Sequence, residues 1–89
     1  MKATAVTIVA AAMVQVVCGD HDRIVDAIAS RYQEVPVAAG IAGFAMMELF
    51  VSENGSWTML VTQPNGPTCI VATGRDWQAI PPVKTGVPS

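Results

Sequence analysis

Few side chains in this 89-residue chain could do chemistry, and for most of them the spacing settles the question. Asp20-His21-Asp22 joins three residues of metal-ligating type, and His21 is the only histidine. Adjacent positions on a helix point in different directions, so the three cannot converge on one ion. Tetrahedral zinc would need further ligands that the chain does not offer. A solvated helix start with Asp20 as its N-cap accounts for the same residues. No Gly-x-Ser-x-Gly motif accompanies the histidine, and Gly40 and Gly43 lack the spacing of a phosphate loop. Glu48 and Asp76 are carboxylates that nothing in the sequence brings together, and Glu48 reads as an edge charge guarding a strand. The expectation is a chain with no catalytic residues, no metal and no cofactor.

Cys18 and Cys69 admit one intramolecular pairing, and the compartment decides between a disulfide and two separate buried thiols. Closing so long a loop would stabilise by about 4 kcal/mol on the chain-entropy account. A chain this short buries a small share of its surface, so such a staple would matter. Trp57 and Trp77 form either a lid over the core or an aromatic platform for a ligand, and aromatic burial favours the lid. Lys and Arg number 5 against 7 Asp and Glu, with no basic run, which argues against nucleic acid as a partner. With 52% hydrophobic and 13% charged residues, the composition also excludes disorder.

The elements that must position these residues begin with an apolar stretch. Met1-Lys2 is followed by residues 3–17, interrupted only by Thr4, Thr7 and Gln15, which is the layout of a secretory signal. The alternative is a retained segment, although it falls short of the ~20 residues that span a bilayer. Residues 20–32 place Ile24, Ile28 and Tyr32 on one side of an amphipathic helix, which Val35-Pro36 should end. Residues 34–44 read as a connection that adds at most a short edge strand at 35–39.

Strands are expected at 46–52, 57–62 and 68–73. Asn54-Gly55 predicts a two-residue type I′ hairpin, and Gln63-Pro64-Asn65-Gly66 a type I turn with Gly66 left-handed. The fold class is therefore α+β: one amphipathic helix on a three- to four-stranded antiparallel β-meander, preceded by a signal or anchor segment. The expected organisation is residues 1–17 as signal or anchor, 18–78 as the domain and 79–89 as a Pro-rich tail.

With those turns, one face collects Phe50, Trp57, Met59, Val61, Cys69 and Val71. A Cys18–Cys69 disulfide would lay the helix across Phe50, Met59 and Val71. The opposite face shows Met47, Leu49, Val51, Leu60 and Ile70, where a polar outer side is the norm. Either the rest of the chain folds over it, or it meets a protein partner or a second copy.

The helix end Arg31-Tyr32-Gln33-Glu34-Val35-Pro36-Val37, then Glu48-Leu49-Phe50-Val51-Ser52, Gly55-Ser56-Trp57-Thr58, Pro64-Asn65-Gly66, Cys69-Ile70-Val71-Ala72 and Gly74-Arg75-Asp76-Trp77 follow Cys18 in turn. In this layout the chain resembles a group of small exported proteins, without assigned activity, from alphaproteobacterial and phage genomes. The resemblance implies cleavage before Cys18 and a disulfide, with no ligand or catalytic residue to carry over. The functional expectation is a periplasmic or secreted interaction module, such as an enzyme inhibitor or an accessory subunit. A membrane-anchored or particle-bound structural subunit is the alternative, with membrane contact only if the N-terminal segment is retained.

Overall fold

A computed structural model describes residues 16–82. Residues 1–15, which hold most of the expected signal or anchor segment, and residues 83–89 of the tail lie outside the described residues. Five strands, β1 (Val17–Gly19), β2 (Val35–Ala42), β3 (Ala45–Val51), β4 (Trp57–Thr62) and β5 (Thr68–Gly74), form one antiparallel sheet in the order β1-β5-β4-β3-β2. The single helix among the described residues, α1 (His21–Tyr32), packs on one side, so the fold is α+β.

The strand number exceeds the expectation because β1 forms where the signal or anchor segment was expected to end, and the connection at 34–44, given at most a short edge strand at 35–39, holds a full strand. β2 runs for eight residues, and its hairpin with β3 turns on Gly43-Phe44 between the paired Ala42 and Ala45. Gly43 has φ +64, the conformation that a type II′ turn requires at its first central position. β1 and β2 lie at opposite edges and run parallel, so α1 must cross the whole sheet. Its 12 residues extend about 18 Å at 1.5 Å per residue. Four strand spacings of about 4.8 Å come to nearly the same length.

Asp20 caps the helix, its carboxylate accepting from Arg23 N at 3.3 Å. Asp22 in the first turn and Arg31 in the last both suit the helix dipole. Gln33 ends the helix in a left-handed conformation at φ 55, its N–H donating to Ala29 O at 3.0 Å. The stop thus comes before Val35-Pro36.

The first sheet turn differs from the expected one, with large consequences. Ser52 N donates to Ser56 O at 2.9 Å and Gly55 N to Ser52 O at 3.1 Å. The loop is therefore three residues, Glu53-Asn54-Gly55, with Gly55 at φ +96. Two serines explain the preference: Ser56 N donates to Ser52 Oγ at 3.0 Å, and the two hydroxyls lie 2.7 Å apart. Phe50 then faces Thr58, Leu49 faces Met59 and Glu48 faces Leu60. A one-residue slip moves every side chain of the strand to the other face.

The second turn keeps its expected register, with Val61 opposite Cys69, although Asn65 and not Gly66 takes the left-handed place, at φ 56. Pro64 followed by a positive-φ residue is the type II pattern. A bulge after this pairing sets Ala72, not Val71, opposite Met59.

The resulting core is small: Ile28 (2% exposed), Phe50 (1%) and Leu60 (0%), joined by Ile24, Val25 and Ile70. Tyr32, expected to stack in this layer, is half exposed, and Val25 packs against the cluster. Thr58 and Thr68 are buried on the same side, and Thr68 Oγ1 lies 2.6 Å from Thr62 Oγ1.

Cys18 and Cys69 form a disulfide between directly opposed residues of β1 and β5, 4.0 Å apart at Cα. Cys69 shares a face with Val61, away from α1. The staple therefore ties two strands and does not lay the helix across Met59 and Val71; of the three expected helix contacts, Phe50 alone is in the core.

Candidate binding surface

The face turned away from α1 is built by alternation. β3 contributes Met47, Leu49 and Val51; β4 contributes Val61, Met59 and Trp57 directly opposite them. The residues of these two central strands on this face are half-buried. At the β2 end, Ala38, Gly40, Met47, Leu49 and Met59 line a depression of about 240 Å³. The small residues of β2 create it, since Ala38 and Gly40 stand beside Leu49 and Met47.

At the β5 end the surface is partly covered. Trp57 lies on Gly74, where an added Cβ would come within 2.7 Å of the indole Nε1. Trp77 packs on Trp57 with ring centroids 6.4 Å apart and planes tilted by 58°, and the Trp77 backbone N–H donates to Gly55 O at 2.9 Å. The pair covers one corner of this open face and not the core on the helix side.

Of the residues expected on one partner surface, the structure keeps Met47, Leu49 and Val51 together. Leu60 and Ile70 are a correction: both belong to the helix side, Leu60 fully buried and Ile70 packed on the core. The cause is the first hairpin loop. The residues that replace them on the open face are Met59, Val61 and Trp57. Ser52 and Ser56 flanking Asn54-Gly55, together with the threonines at 58, 62 and 68, were the available signals.

Glu48 is a second correction. It lies on the inner strand β3, not at an edge, and its Oε1 is 2.8 Å from His21 Nε2. Asp22 Oδ1 lies 3.2 Å from Nδ1 of the same ring. Carboxylates accept and do not donate, so the doubly protonated imidazole satisfies both contacts. The hydrogen bond to Glu48, then that to Asp22, raises the His21 pKa above the ordinary value, against a smaller opposing effect of burial. The pair pins the start of α1 to the sheet. Among the described residues, no group of three or more His, Cys, Asp or Glu side chains is placed to hold a metal ion.

No helix among the described residues is long and apolar enough to cross a membrane. No protein-family model, curated protein or solved structure matches the chain. The chain is thus defined by its own geometry: a disulfide-stapled α+β module with one apolar sheet face left without a covering layer among the described residues.

Proposed function

We propose that this chain is an exported interaction module that binds a protein partner through the open sheet face and catalyses nothing itself. The observation that supports this reading is the pairing of Met47, Leu49 and Val51 with Val61, Met59 and Trp57 on the side away from α1. Contiguous apolar patches of this kind mark interaction sites, and a half-sandwich gains by acquiring a second layer. The disulfide fits a non-reducing environment, and the apolar stretch at residues 3–17 is consistent with export to the periplasm or beyond. The resemblance to small exported proteins of alphaproteobacterial and phage genomes points the same way. An inhibitor or an accessory subunit would use such a face.

Leu49→Asp and Met59→Asp test the reading in protein purified from its native host with its partner, or from a concentrated solution of the chain alone. Both substitutions should abolish co-purification or self-association and leave the circular dichroism spectrum unchanged. Retained association in both variants would remove the open face from consideration. The apolar stretch at 3–17 also supports a second reading, an anchored or particle-bound subunit that keeps it. The intact mass of the native protein decides: loss of everything before Cys18 eliminates that version.

A further inference from the structure

On the helix side, where α1 gives way to β2, Glu34 is 3% exposed, and its Oε1 has no hydrogen-bond partner among the described residues. A buried carboxylate oxygen without a donor costs several times what an ordinary hydrogen bond contributes. The residue forms part of the wall of a pocket of about 320 Å³, which Tyr32, Thr58, Ile70, Thr73 and Arg75 also line. Thr58 is buried, and Thr73 and Arg75 are exposed at the far end of β5 and just beyond it. The volume is at the low end of the range for small-ligand sites. Arg75 makes no ion pair with Glu34 within 4.0 Å.

We infer that this pocket binds the primary ammonium group of a small ligand, with Glu34 as its counter-ion. An ammonium supplies up to three donors on a compact charge, suiting the Glu34 carboxylate and the threonines, Thr58 and Thr73, that line the same pocket. A cationic donor adds charge complementarity to a carboxylate that a water molecule does not. Trp57 of the open face also borders this pocket, but Met59 and Leu49 do not, so the Met59 and Leu49 variants and Glu34→Gln report on separate sites.

The test is an amide chemical-shift titration of the full oxidised chain at neutral pH with n-butylammonium, using n-butanol as the uncharged control. Saturable shifts at Thr58, Thr73 and Tyr32 are expected with the amine only. Glu34→Gln should weaken them at least tenfold. Should that variant fail to fold, Thr73→Val, at an exposed position, should weaken amine binding severalfold. Shifts of equal size with n-butanol, or undiminished binding in Glu34→Gln, would overturn the proposal. So would an unresponsive wild-type chain, and a site that appears only in Arg75→Ala would name Arg75 as the native occupant.

Discussion

On the helix side of the sheet, the buried positions include Ser52, Thr58 and Thr68 beside Phe50 and Leu60. The open side instead presents Met47, Leu49, Val51, Met59 and Val61. Composition alone would assign the helix to the second face. Chain path decides otherwise. β1 and β2 are parallel strands at opposite edges, and crossovers between parallel strands of one sheet are right-handed in nearly all proteins. The hand of that crossover, together with a three-residue loop at Glu53-Asn54-Gly55, selects which side chains α1 covers. An apolar face can thus be left over as a result of topology, and it becomes the surface with most to gain from association.

The largest expected effect tests whether the open side contributes to folding at all, because the disulfide lies on it. Cys18→Ser with Cys69→Ser should lower stability by about 4 kcal/mol in urea denaturation. A loss near zero would mean that β1 holds its place without the bond. Next, Leu60→Ala and Met59→Ala compare adjacent residues that point to opposite faces. Leu60→Ala should cost about 3 kcal/mol, as deletion of a fully buried leucine does. Met59→Ala should cost roughly 1 kcal/mol, in keeping with its half-buried position. A reversed order would restore the two-residue turn and exchange the faces.

Gly74→Ala sharpens the comparison at the corner where the open face is already covered. Its new Cβ would collide with the Trp57 indole, so a cost of about 1–2 kcal/mol and a shifted tryptophan emission are expected. The smallest effect concerns the helix side. His21 has a raised pKa in the folded chain, so its contribution is complete below the unfolded value near 6.5 and is lost as pH rises through the folded value. The loss should be about 0.5 kcal/mol for a part-buried pair whose histidine side chain is 36% exposed to screening solvent, and Glu48→Gln should flatten that part of the stability profile.

Much of the fold was legible in the sequence. Ile24 and Ile28 announced the face of α1, Asp20 its cap, and Pro64-Asn65-Gly66 a hairpin whose register holds as far as Val61 opposite Cys69. The open face was half legible, because Met47, Leu49 and Val51 share a face by alternation alone. What failed was long-range. Asn54-Gly55 fits a two-residue loop locally, and only the Ser52–Ser56 hydrogen bonds across the loop favour three. Residues 35–42 contain Pro36, Gly40 and five alanines or valines of weak pattern, so β2 is a strand because β3 offers it an edge. Likewise, nothing near Glu48 in the chain reveals that His21, 27 residues earlier, folds over it.

One consequence of the strand order concerns synthesis. β1 is made before any other described element, yet its hydrogen-bonding neighbours are residues 68–70, the last strand of the sheet. As the chain emerges from the ribosome or a translocation channel, the central hairpins can pair while Val17–Gly19 still has no template. The first strand to appear is therefore the last to be seated, and Cys18 stays a free thiol until Cys69 has emerged. Formation of the Cys18–Cys69 bond is thus a late event that needs an oxidant present once Cys69 has arrived.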